Sequence, residues 1–163
     1  MDYLHITHPF PPVCDRDCRV LILGTLPSVK SRENDFYYGH GQNRFWKLLA
    51  ALFDEPVPAE IPEKKALLLR HHIALWDVIA SCDIRGSSDS SIRNVEPTQL
   101  RAVLDAAPIG KIYANGAKAA EVYRKYQEPV TRMPITALPS TSPANATWSL
   151  EKLCQAWRVI QSE

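Results

Sequence analysis

Several features that would mark a membrane, secreted or metal-bound protein are missing from this chain. No apolar run approaches the roughly 20 residues of a membrane span. The amino-terminal residues, with Asp2, His5 and His8, lack the basic-then-apolar layout of a secretion signal, so a cytoplasmic location is expected. Cysteine is sparse: Cys14 and Cys18 have a ligand-like spacing, but Cys82 and Cys154 stand alone without a second paired motif. Cys154 also lies on the apolar stripe of an expected helix, where a thiol acts as a small hydrophobe. No metal is expected. A Gly-x-Ser-x-Gly elbow and an ordered acid–histidine set are also absent, which argues against a serine hydrolase built on Ser28 or Ser140.

Net charge is low, +1 over 163 residues. The distribution is uneven: residues 1–83 hold 9 basic and 11 acidic side chains, residues 84–163 hold 10 and 7, so the second half is +3. Arg85, Arg93, Lys111, Lys118, Arg124, Lys125 and Arg132 fall mostly near expected loops and helix ends. An ordinary solvated surface explains this charge as well as a polyanion partner does.

Hydrophobic residues make up 45% of the chain and charged residues 23%, the balance of a globular protein. Short apolar runs beginning near Arg19, Ile73, Lys111 and Pro134 read as strands, alternating with helical patterns. Phe45, Trp46, Leu48, Leu49, Leu52 and Phe53 follow helical spacing after Asn43, a residue suited to an N-cap. A second stripe runs through Trp148, Leu150, Leu153, Cys154, Trp157 and Ile160. Alternating strands and helices predict a three-layer α/β/α sandwich around a central four-stranded parallel sheet. One domain over residues 1–163 is expected, with 1–18 as an irregular, proline-rich arm. The polar segment Gly86-Ser-Ser-Asp-Ser-Ser91 reads as a long loop.

Two Pro-Ser turns follow strands: Gly24-Thr-Leu-Pro-Ser28 and Leu138-Pro-Ser-Thr-Ser-Pro-Ala-Asn145. Both belong at the carboxyl edge of the sheet, where open α/β folds bind ligands. Between them lies Tyr37-Tyr-Gly-His-Gly-Gln-Asn-Arg-Phe-Trp46. The segment His40-Gly-Gln-Asn-Arg-Phe-Trp-Lys resembles the His-Pro-x-Asn-x-Phe-Trp-Lys segment of mismatch-specific uracil/thymine-DNA glycosylases. The two Pro-Ser turns resemble the first and second motifs of the uracil-DNA glycosylase superfamily, in the same order.

The departures are informative. Leu26 stands where the mismatch-specific enzymes carry a catalytic asparagine, and Leu138 where the uracil-specific branch begins its second motif with histidine. That pattern is similar to the hypoxanthine-DNA glycosylase branch, in which the asparagine of the middle segment is implicated; here it is Asn43. The resemblance implies a monofunctional glycosylase that hydrolyses the N-glycosidic bond of deaminated bases (hypoxanthine, with uracil or mismatched bases second) flipped out of DNA. It implies DNA as partner, a monomer, no cofactor and no membrane. Asn43 would be catalytic, its carbonyl accepting from the attacking water, and the same residue also reads as a plain helix cap.

Tyr38 would stack on the extruded base. Asp77 would read a ring N–H, although it also suits a turn cap. Gly24, Leu26, Pro27 and Ser28 would line the pocket. Ser140, Thr141, Ser142, Pro143 and Asn145 would meet DNA, with Asn145 either filling the gap left by the base or serving as a turn residue. Asn115-Gly116 opens a helix and reads as a turn, with a phosphate contact as the other possibility. Loss of both usual catalytic side chains also suits a non-catalytic nucleotide- or nucleic-acid-binding α/β module. No lysine in these motifs is placed as an amine nucleophile, so lyase activity is not expected.

Overall fold

The structure is a computed structural model and describes residues 2–8, 10–26, 36–39, 41–86 and 88–162. In chain order its elements are β1 (Leu4–Thr7), β2 (Val20–Gly24), α1 (Phe45–Phe53), α2 (Ile61–Arg70), β3 (Ile73–Asp77) and β4 (Ile79–Ile84). There follow β5 (Arg93–Pro97), α3 (Arg101–Leu104), β6 (Lys111–Asn115), α4 (Ala117–Tyr126), α5 (Glu128–Thr131), β7 (Ile135–Leu138) and α6 (Leu150–Trp157).

The strand expected from Arg19 is all apolar for a physical reason: every residue of β2 is buried, because helices cover both faces of the sheet. The four core strands are parallel in the order β3-β2-β6-β7. Side chains alternate between two apolar clusters. Val20, Ile22, Ile73, Leu75 and Tyr113 face α1, α2 and α6, packing on Phe45, Leu49, Leu68, Leu153 and Trp157. Leu21, Leu23, Ala74, Ile112 and Ala114 face α3 and α4, packing on Val103, Ala119, Ala120 and Tyr123. Each fully buried aliphatic side chain contributes about 1.5–3 kcal/mol.

Local signals start and stop the helices. Glu63 accepts from the Glu60 N–H at 3.0 Å and Pro62 sits in the first turn of α2. The Ser149 hydroxyl accepts from the Lys152 N–H at 3.2 Å to open α6. At the end of α1, Asp54 turns left-handed with φ 52° and its N–H meets the Ala50 carbonyl.

The amino-terminal arm departs from its expected irregularity. Leu4–Thr7 is a strand, antiparallel to β4, and β5 pairs with the other side of β4, giving a small three-stranded sheet. A four-residue strand whose partner lies about 78 positions away leaves no local signature. Its Ile6, with Ile84 and Val95, packs on the α3–α4 cluster. Val13 forms a single antiparallel bridge to Leu75, two hydrogen bonds of 2.9 Å, and so covers the open edge of β3. The polar segment near Asp89–Ser91 is a 3-10 turn joining β4 to β5.

Candidate active site

Strand register aligns the site. Gly24 pairs with Asp77, Leu23 with Ala114, and Asn115 with Leu138, so Asp77, Gly24, Asn115 and Leu138 form a row across the carboxyl edge. By strand alternation all four face the α1–α2–α6 layer. The order β3-β2-β6-β7 reverses direction between β2 and β6, which places Gly24 and Asn115 on either side of the topological switch point.

Gly24 lets its neighbours crowd into the place a side chain would take in this row. A Cβ there would lie 2.5 Å from Asp77 Oδ1 and 2.7 Å from the Tyr38 hydroxyl. These two polar atoms therefore converge above the Gly24 α-carbon. Asp77 is 3% exposed. Its other oxygen, Oδ2, is 2.7 Å from His8 Nε2, and the His8 side chain is itself only 5% exposed. Phe10 anchors the far side of that imidazole, with its carbonyl 2.9 Å and its N–H 3.3 Å from Nδ1. The carboxylate is thus held by one oxygen and presents the other.

Tyr38 adopts φ 55°, and one face of its ring stacks on Phe45 at a centroid distance of 4.2 Å. Its hydroxyl is buried with no hydrogen-bond partner among the described residues, although the Asn115 side chain lies close by. Burial, then the charge of Asp77, pushes this phenol well above its ordinary range, so it remains a neutral O–H donor. Tyr37 is instead a packing residue: it is 1% exposed, and its hydroxyl donates to the Pro11 carbonyl at 2.9 Å.

On the other side of Gly24 runs a second polar system. Asn43 Oδ1 accepts from the Phe45 N–H at 3.0 Å and from the Thr141 hydroxyl at 2.8 Å. Thr141 Oγ1 accepts from Asn115 Nδ2 at 3.0 Å, and the Thr141 N–H donates to Asn115 Oδ1 at 3.0 Å. The N-cap of α1 is Arg44, so Asn43 stands one position before the cap and its oxygen meets the first helical N–H, that of Phe45. Both of these bonds fall on the carbonyl oxygen, the atom expected to accept from water. Among the described residues, nothing accepts from its NH₂ group.

The segment after β7 is clamped from α1. The Arg44 N–H donates to the Thr141 carbonyl at 3.1 Å. Its guanidinium donates to the carbonyls of Ser142 at 3.0 Å, Asn145 at 3.1 Å and Trp148. Asn145 Nδ2 donates to the Ser140 carbonyl at 3.0 Å, and Trp157 Nε1 to the Pro139 carbonyl at 2.9 Å. Ser140 and Ser142 Oγ accept from the backbone N–H groups of Ser142 and Ala144, and each O–H keeps its capacity to donate.

Two expected positions fall elsewhere. Thr141 is fully buried and points inward, so it is not a surface contact; Asn43 and Asn115 satisfy its hydroxyl and exclude it from solvent. Leu26 packs against the α3–α4 cluster, on the opposite face from Asp77 and Asn115, because its apolar side chain finds partners there. Pro27, Ser28 and the motif residue His40 lie outside the described residues. His8 and Arg44 were missed, and Asn115 was read as a turn or a phosphate contact. Only Asn115 had a signal, a polar residue closing an apolar strand, as Asp77 does.

No disulfide joins the cysteines. Burial pushes the Cys18 thiol up to about 12 and raises Cys14 as well, so both are protonated thiols at neutral pH. Among the described residues no group of three or more His, Cys, Asp or Glu could hold a metal, and no helix is long and apolar enough to cross a membrane.

The chain is similar to known proteins along nearly its whole length. It is 36% identical over 160 residues to a Methanosarcina acetivorans protein named hypoxanthine DNA glycosylase, covering 95% of this chain and 98% of that one. A Methanosarcina barkeri protein of the same name is 36% identical over 125 residues, 76% of each chain. The solution structure of a candidate uracil DNA glycosylase from Methanosarcina acetivorans superposes with a TM-score of 0.82 at 30% identity, covering 98% of both chains. The family model of the uracil DNA glycosylase superfamily matches residues 11–161, and the chain belongs to that superfamily.

Proposed function

We infer that this protein is a monofunctional DNA glycosylase that excises hypoxanthine, and secondarily uracil or other deaminated bases, from DNA. The observation that carries this reading is the row at the switch point. Gly24 lets the Asp77 carboxylate and the Tyr38 hydroxyl close in over its α-carbon on one side, and the network that ends at Asn43 lies on the other. The names of the two Methanosarcina relatives support hypoxanthine as the base.

Asp77 Oδ1 accepts from the N1–H of hypoxanthine. Adenine carries a lone pair at N1, which the same oxygen repels, so undamaged adenine is refused. Uracil and xanthine share a ring N–H beside a carbonyl and fit the same acceptor. The ring face of Tyr38 not covered by Phe45 stacks on the flipped base. Asn43 is the catalytic group. The hydroxyls of Ser140 and Ser142 meet phosphates, and Pro143 and Asn145 form the part of the loop that enters the duplex. Water is the nucleophile and no cofactor takes part; the protein acts as a monomer.

The test is release of free base from a duplex with one hypoxanthine at a defined position. The reading expects free hypoxanthine and an intact abasic strand that breaks only on alkaline or hot treatment. Binding without base release would favour a non-catalytic nucleic-acid-binding module instead. Binding should weaken as salt rises, and more so in the Ser140→Ala, Ser142→Ala, Asn145→Ala triple variant.

A further inference from the structure

The polarity of the network at Asn43 is fixed by groups that can only donate. The Thr141 backbone N–H has no acceptor capacity, so the Asn115 atom 3.0 Å from it is the carbonyl oxygen. The Asn115 amide nitrogen must then face Thr141 Oγ1, 3.0 Å away, and the hydroxyl accepts from it. That directs the hydroxyl hydrogen to Asn43, 2.8 Å away. The Phe45 N–H, also only a donor, independently requires an oxygen at the same Asn43 atom, at 3.0 Å. Two separate donors therefore hold Asn43 in one flip state. Among the described residues no acceptor takes up its NH₂, the part of the amide left for a substrate.

We propose that Asn43 works as a hydrogen-bond donor to the departing base, not as an acceptor that activates water, and that Asn115 and Thr141 are positioning residues that enforce this direction. The proposal rests on the glycosylase reading above. The C1′–N9 bond breaks with its electron pair going to the purine, leaving an oxocarbenium-like sugar. Negative charge spreads over N3, N7 and O6 of the base, all acceptors that an amide N–H can meet. A water oxygen then bonds to C1′ and gives up one proton to solvent. The base anion takes one proton from solvent, so free hypoxanthine and an abasic sugar result. A preorganised donor aimed at developing charge supplies the kind of stabilisation that speeds such a step. Weak nucleophilic assistance suffices because the oxocarbenium carbon is itself strongly electrophilic.

Asn43→Asp separates donor from acceptor. It keeps an oxygen for the Phe45 N–H and the Thr141 hydroxyl and changes only the group left for substrate. Single-turnover release of hypoxanthine, at enzyme concentrations that saturate the duplex, should fall about 100-fold or more, as in Asn43→Ala. Thr141→Val, which keeps the shape and removes the hydroxyl, should slow release about tenfold with unchanged duplex affinity, and Thr141→Ser should restore it. Thermal melting of each variant shows that it is folded, and its rate is normalised to the folded fraction. An Asn43→Asp rate within threefold of wild type, or above it, would overturn the donor assignment, as would a Thr141→Val variant at full rate. Wild-type protein that releases no base from hypoxanthine, uracil or xanthine duplexes would instead overturn the glycosylase reading, and the donor assignment with it.

Discussion

The two sides of Gly24 are built differently. On one, a buried imidazole and carboxylate, His8 and Asp77, meet at 2.7 Å. On the other, three neutral side chains, Asn115, Thr141 and Asn43, pass hydrogen bonds in one direction over distances of 2.8–3.0 Å. The ionisable side presents an acceptor and the neutral side presents a donor. A buried carboxylate is costly to leave without its partner, whereas a neutral relay loses a hydrogen bond when one member goes. The first side should therefore govern stability and base choice, and the second the rate of bond breaking.

Removing the donor should have the largest effect on that contrast. Asn43→Ala is expected to slow single-turnover hypoxanthine release about 100-fold or more. It should cost about 1–3 kcal/mol of stability, through the lost contacts to the Phe45 N–H and the buried Thr141 hydroxyl. A variant that is folded yet cuts poorly puts Asn43 in catalysis; a variant with full rate after correction for the folded fraction makes it a structural residue alone.

Adding a side chain at Gly24 strikes both neighbours at once. Gly24→Ala sets a methyl 2.5 Å from Asp77 Oδ1 and 2.7 Å from the Tyr38 hydroxyl, closer than real Cβ contacts come. His8 pins the carboxylate and Phe45 backs the tyrosine, so neither side chain moves without loss. Release of hypoxanthine should drop roughly 10-fold or more, a cost of about 1–3 kcal/mol in misplaced polar groups. Wild-type rate in this variant would show that the placement of Asp77 and Tyr38 over Gly24 does not govern release.

Breaking the ionisable side should register first in stability. His8→Ala strands a buried carboxylate and is expected to cost about 3 kcal/mol, read by chemical denaturation. At a temperature where the variant is folded, its preference for hypoxanthine over uracil should shift while its dependence on Asn43 persists. A change in stability of a few tenths of a kcal/mol would mean that His8 and Asp77 do not interact as a pair.

How far the sequence discloses all this differs by element. The four core strands and the helix over residues 117–126 were legible because their apolar patterns are local and strong. Asn43 and Asp77 were legible because one sits in a motif and the other closes an apolar strand. Their partners were not. His8 is 69 positions from Asp77, Thr141 is 98 from Asn43, and neither separation leaves a periodic trace. The small antiparallel sheet escaped for the same reason, since β1 has too few residues to show alternation and finds its partner only in the folded chain. Thr141 looked like its hydroxyl neighbours in the Pro-Ser-Thr-Ser run, and only burial distinguishes it.

A site far from Gly24 provides the smallest expected effect and a control. Glu55 is paired with Arg70 and His71, and hydrogen bonds from Arg70, then His71, hold its carboxyl down at about 2. Because the folded value lies below the unfolded one, its stabilising contribution is present above the unfolded range near 4.5 and disappears as pH falls toward about 2. Glu55→Gln should lower Tm slightly at neutral pH, converge with wild type in strong acid, and leave hypoxanthine release unchanged. An altered release rate would couple this surface pair to the carboxyl edge.

The most direct test of the central claim runs the wild type and Asn43→Ala side by side on one duplex with a single hypoxanthine, following free base over time under single-turnover conditions. The wild type should release hypoxanthine rapidly with the strand left intact, and the variant about 100-fold or more slowly. No free base from the wild type, or equal rates from the two proteins, would contradict the central claim.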